Sequence, residues 1–86
     1  PPARGTNEVW VINREFQPQT ITVPVGTTVT WKNRDQEEHT VTFDDGFSNM
    51  RLSVFDATAN YTFTVPGTFS YYCDPHPEMT GKVIVR

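Results

Sequence analysis

The chain has a single cysteine, so no internal disulfide can staple it. At 86 residues its core is thin, and a fold of this size relies on close packing or a bound metal. No apolar run approaches the roughly 20 residues of a membrane-spanning helix. Positive charge is scarce, with 7 Lys and Arg against 10 Asp and Glu and a formal net charge of −3, which argues against a nucleic-acid partner. No stretch keeps a helical period, and there is no internal repeat or low-complexity tract. The opening residues carry no signal-peptide pattern. The opening Pro1-Pro2-Ala3-Arg4-Gly5 reads as a linker or processed end, as removal of a signal or anchor would leave. The expected organisation is residues 1–7 as that end and 8–86 as one domain.

Aromatic residues make up 13% of the chain, and Thr and Val are frequent, which favours strands. Turn formers recur at short intervals: Pro18, Pro24, Gly26, Gly46, Pro66, Gly67, Pro75, Pro77 and Gly81. The runs between them predict strands near 8–12, 20–23, 27–33, 39–43, 59–65, 68–73 and 82–86. A loop over 44–58 carries a short strand near 52–55. Seven or eight short strands with turns between them indicate an all-β sandwich or barrel. Alternation then assigns inward rows: Val29 and Trp31; His39, Val41 and Phe43; Tyr61, Phe63 and Val65; Phe69, Tyr71 and Cys73; Val83 and Val85. His39 and Cys73 continue apolar rows to strand ends, where core meets loop.

The segment Cys73-Asp74-Pro75-His76-Pro77-Glu78-Met79 spaces a thiol, an imidazole and a thioether three residues apart. Prolines on both sides of His76 restrict the backbone, so little entropy is lost on ordering the loop. His39 supplies a second imidazole from another strand, and the chain has no other histidine. Soft sulfur selects copper, and imidazole accepts either copper state. Two His and one Cys in a plane, with a weak axial Met, describe a copper site for electron transfer. Zinc is the rival, but a thioether is a poor zinc ligand, and Met79 would close the open position that a hydrolytic site needs. A non-enzymatic role is therefore expected. Met50 has no partner at ligand spacing and reads as packing.

Several segments together resemble the cupredoxin superfamily over most of the chain. Gly26-Thr27-Thr28-Val29-Thr30-Trp31-Lys32-Asn33 resembles central strands of plastocyanin and amicyanin. His39-Thr40-Val41-Thr42-Phe43 is similar to the strand bearing their first histidine, and Gly67-Thr68-Phe69-Ser70-Tyr71-Tyr72-Cys73 to the strand reaching their cysteine. The ligand loop is closest to that of amicyanin. The resemblance implies a Greek-key sandwich, copper held by His39, Cys73, His76 and Met79, and single-electron transfer outside the cytoplasm. Two departures stand out. Thr40 replaces the usual Asn after the first histidine, and Asp74 follows the cysteine. A tie in which the Thr40 hydroxyl donates to the Asp74 carboxylate is expected in their place. Glu78 stands where amicyanin has Phe, which counts against an amine-dehydrogenase partner.

The surface expected to pass electrons is His76, with Pro75, Pro77 and Glu78 around it and Tyr72 as a second, longer route. Acidic residues at 35, 37, 38, 44 and 45 suggest steering toward a redox protein with a basic patch, such as a cytochrome, by a monomeric carrier. The alternatives are a domain of a larger membrane-attached or multicopper redox protein, and copper delivery or storage. Only two histidines and a single Cys on a strand argue against a multicopper centre and against delivery.

Overall fold

The computed structural model describes residues 7–44, 46 and 48–86. The linker reading of the first residues and the acidic side chain of Asp45 lie outside the described residues. In chain order the strands are β1 Glu8–Ile12, β2 Glu15–Gln17, β3 Thr20–Val23, β4 Thr27–Asn33, β5 His39–Phe43, β6 Asn49–Leu52, β7 Thr58–Phe63, β8 Gly67–Cys73 and β9 His76–Val85. They form two sheets, β2-β1-β4-β7 and β3-β9-β8-β5-β6. The pairs β1/β4 and β3/β9 are parallel, which requires the chain to cross between sheets, and the remaining pairs are antiparallel. The all-β expectation holds, with nine strands among the described residues.

Alternation builds the core. In β1, Val9 and Val11 are buried; in β4, Val29, Trp31 and Asn33; in β9, Val83 and Val85. Trp31, Phe43, Phe63 and Tyr71 interlock at its centre. Trp31 meets Tyr71 edge-on at 5.5 Å and Phe43 at 6.0 Å. Edge-to-face pairs of this kind contribute about 0.5–1.5 kcal/mol each beyond area burial. Phe16 of β2 packs edge-on against Tyr71 at 4.7 Å. The ring of Tyr71 lies over Gly81, its partner across β8 and β9, where an added Cβ would come within 2.6 Å of the ring. Gly81 is therefore fixed by close approach rather than by a turn.

Four expectations need correction. β2 was not expected. It follows β1 through Asn13 and Arg14, both with left-handed φ (55° and 58°), and only Asn is a usual signal for such a turn. The strand expected near 52–55 lies at Asn49–Leu52, because it pairs with β5 so that fully buried Leu52 faces His39. Val65 is 62% exposed instead of inward: β7 ends at Phe63, and Val65 falls in the turn before Pro66 and positive-φ Gly67. The closing strand begins at His76 rather than near 82. Cys73 pairs with His76 and Tyr72 with Thr80, so residues 77–79 form a bulge that places Pro77, which lacks an N–H, off the ladder.

Candidate metal centre

β5 and β8 run antiparallel, so the first residue of one lies near the last residue of the other. That puts His39 and Cys73 at one pole. The two-residue turn Asp74–Pro75 then returns the chain so that His76 stands opposite Cys73. His39 Nδ1 lies 3.4 Å from Cys73 Sγ, and His76 Nδ1 lies 3.7 Å from the same sulfur. The three ligand atoms all fall within 4.8 Å of one another. Metal bonds of roughly 2.0 Å to nitrogen and 2.3 Å to sulfur, about 120° apart, would separate the two by ~3.7 Å. The donor atoms thus stand close to the spacing a trigonal metal requires. Met79, three residues on in the bulge, is buried with the core.

The surroundings of each donor differ. Cys73 is fully buried, and burial pushes its thiol up; the Thr40 N–H, 3.5 Å from Sγ, and the His76 backbone pull the other way without cancelling the effect. Metal binding must displace that proton, so affinity rises with pH. The His39 ring is also fully buried, and its Nε2 is 2.9 Å from Asp35 Oδ2. A carboxylate there assigns the proton to Nε2 and leaves the Nδ1 lone pair facing Cys73. Partial burial pushes the Asp35 carboxyl up. The N–H groups of Arg14 and Asn13, together with His39, outweigh that and hold it below the ordinary range.

The tie between the two ligand segments exists, with different atoms from those expected. The Asp74 N–H donates to Thr40 Oγ1 at 2.8 Å. Thr40 Oγ1 is 2.9 Å from Thr42 Oγ1, which in turn donates to Asn49 Oδ1 at 3.0 Å. An amide N–H only donates, and an amide oxygen only accepts. The direction of the chain is therefore fixed, and the Thr40 proton goes to Thr42 rather than to the Asp74 carboxylate. Thr40 is buried and Asp74 exposed, so an accepting hydroxyl spares the fold a buried charge.

Other expected residues fall as follows. His76 is partly exposed; Pro75, Pro77 and Glu78 are exposed around it, and Tyr72 is half-buried on β8 beside Cys73. Met50 is partly buried against the core, as packing predicts. The sequence reading counted Asp35 and Glu37 only as surface charge and did not single out Asn33 or Arg14. Buried Asn33 organises the loop before His39: its Nδ2 donates to the carbonyls of Glu37 and Leu52 at 2.9 and 3.1 Å, and its Oδ1 accepts the Asp35 N–H at 2.9 Å. The available signals were an Asn ending an apolar strand row and an acid four residues before a ligand histidine.

A two-sheet sandwich with two imidazoles and a buried thiol converging at one pole defines a small β-protein of the blue-copper class. The chain belongs to the cupredoxin-like family, whose profile, described as a cupredoxin-like domain, matches residues 2–85. It is 34% identical to amicyanin-alpha of Methylorubrum extorquens over 95% of this chain and 73% of that one. With amicyanin of Paracoccus denitrificans the identity is 35%, over 98% and 68%. Chloroplastic plastocyanin of Oryza sativa subsp. indica is 37% identical over 83% of this chain and 54% of its own length. Among solved structures, an amicyanin variant in its Cu(I) form superposes with a TM-score of 0.83 at 34% identity, covering 99% of this chain and 86% of the other. An oxidised amicyanin variant gives 0.86 at 33% identity with the same coverage.

Proposed function

We propose that the protein is a single-electron carrier and not an enzyme, in which His39, Cys73, His76 and Met79 would hold one type 1 copper. The observation that carries this reading is the convergence of two Nδ1 atoms on one buried Sγ, at 3.4 and 3.7 Å. When bound, copper supplies a Cu(I)/Cu(II) couple. The protein's residues do the rest. β5 and the short turn fix the donors in advance, so little rearrangement accompanies a change of charge. Burial of Cys73 and His39 keeps water from the sulfur. Met79 as fourth donor would close the position that a reacting water needs.

In this reading residues 8–86 form the copper domain, and it works outside the cytoplasm. The partner is a redox protein, with a cytochrome bearing a basic patch as our specific proposal, and the carrier is monomeric. Electrons pass through His76, whose ring spans from the sulfur to the surface, within a contact patch of Pro75, Pro77 and Glu78. Tyr72, bonded to Cys73 through the backbone, offers the second route.

The test is one equivalent of Cu(II) added to the purified chain. We expect an intense visible thiolate-to-copper band in the parent and none in Cys73→Ala, with most of the copper affinity lost. A parent that takes up no copper, or a Cys73→Ala variant that stays blue, would defeat the proposal.

A further inference from the structure

Where the β1–β2 turn meets the loop after β4, Glu37 Oε1 lies 3.5 Å from Nε2 of His76. Glu37 is held there from two other sides. Arg14 grips both carboxylate oxygens, Nε to Oε1 at 2.7 Å and Nη2 to Oε2 at 3.1 Å. Buried Asn33 fixes the Glu37 carbonyl at 2.9 Å. Arg14 is itself placed by Asp35, whose carboxylate accepts the Asn13 and Arg14 N–H groups at 2.8 and 3.0 Å while facing His39 Nε2. Each histidine thus has a carboxylate at the ring nitrogen turned away from Cys73. Arg14 is tied to both carboxylates, to one by its main chain and to the other by its guanidinium.

We propose that Glu37, clamped by Arg14, is a positioning residue for His76: it accepts the Nε2–H of the ring and keeps Nδ1 turned toward Cys73. The inference rests on the copper reading and adds to it the control of one ligand. His76 sits at the end of a two-residue turn with 21% of its side chain exposed, so its ring is open to water on one side. A carboxylate has about four lone-pair sites, and the arginine fork occupies two, which leaves Oε1 able to accept one more N–H. At 3.5 Å the two groups stand in contact, just beyond the roughly 2.7–3.2 Å of an ordinary N–H···O bond. An exposed ion pair alone does little for stability. This one has a third partner, and that partner is a copper ligand. Arg14 also balances the charge of Glu37, so the rim gains an acceptor without gaining net charge.

The experiment is proton exchange with water at the histidine Nε2–H groups, followed by NMR in the reduced, copper-loaded protein. Arg14→Leu and Glu37→Ala should each speed exchange at His76 by about ten-fold or more and leave His39 within about two-fold, because residue 14 keeps its N–H on Asp35. Glu37→Gln, which retains an acceptor, should fall between. Unchanged exchange at His76 in Arg14→Leu and Glu37→Ala would overturn the positioning role. So would equal acceleration in Glu38→Ala, one residue along and paired instead with Arg51. A parent chain that stays colourless with Cu(II) fails the copper reading; a blue parent with unaltered exchange in the variants fails only this inference.

Discussion

The two histidines facing Cys73 offer the same nitrogen to the same sulfur, yet their surroundings divide the site into a buried arm and an open one. His39 has a fully buried side chain, begins a central strand, and meets Asp35 at 2.9 Å. His76 is partly exposed, follows a two-residue turn, and meets Glu37 at 3.5 Å. The buried arm is part of the core, and the open arm is attached to it. This asymmetry suits the proposed carrier, in which one ligand would anchor the metal while the other would reach a partner.

The largest test of that division is to remove each ring from the metal-free protein. His39→Ala opens a cavity against Leu52 and leaves Asp35 without its ring partner, so we expect a loss of roughly 2–4 kcal/mol. His76→Ala removes a partly exposed side chain and should cost less than about 1 kcal/mol. Urea unfolding of the apo variants gives both numbers. Equal losses would abolish the distinction between the arms, although both variants should lose the blue band when copper is added.

Acid sharpens the same comparison. The folded-state pKa of Asp35 is depressed, so it adds stability that is fully present above the unfolded value of about 3.9 and fades as pH falls through the lower folded value. Glu37 is also depressed, chiefly by its hydrogen bond with Arg14, but both partners are partly open to solvent, where such a pair is screened. Below about pH 4 the apo parent should therefore lose stability with a slope that Asp35→Asn flattens visibly and Glu37→Gln hardly changes. Urea midpoints between neutral pH and pH 3 would show this. A larger effect of Glu37→Gln would place the stabilising charge on the open arm.

The two arms were not equally legible in the sequence. The donor set is local chemistry at fixed spacing, and alternation was enough to place His39 and Cys73 at strand ends. What lay beyond reach was long-range. Glu37 meets Arg14 across 23 residues, and Arg14 reaches the site only because a turn with two left-handed residues brings it there. Arg in such a turn carries no signature, since its backbone cost of about 1 kcal/mol is offset by a carboxylate 21 residues away. The Thr40–Asp74 tie was read as a contact but with the wrong atoms. Its direction depends on Thr42 and Asn49, and the latter lies on a strand that had been expected three residues later. Composition could count the acids near the site but not reveal that arginines had already met some of them.

That last point changes the smallest effect, recognition at the open arm. The stretch 35–38 looked like a free acidic rim. In the structure Asp35 is committed to His39 and two backbone N–H groups, Glu37 to Arg14, and Glu38 to Arg51 at 3.0 Å. Asp74 and Glu78 are exposed beside His76 and, among the described residues, make no ion pair. If charge steers a basic partner, these two should do it, because an acid already facing an arginine projects little field beyond a Debye length of about 10 Å at 0.1 M salt. Glu78→Lys should therefore slow electron exchange with a basic cytochrome by about two- to five-fold at low salt, and the difference should vanish as salt rises. Glu38→Gln should change the rate by less than half as much, although it lies in the denser acidic run. Stopped-flow rates across a salt series decide between them. Equal effects would mean that the partner senses the summed charge of the pole. No effect in either, with rates independent of salt, would mean that Pro75 and Pro77 dock by apolar contact alone.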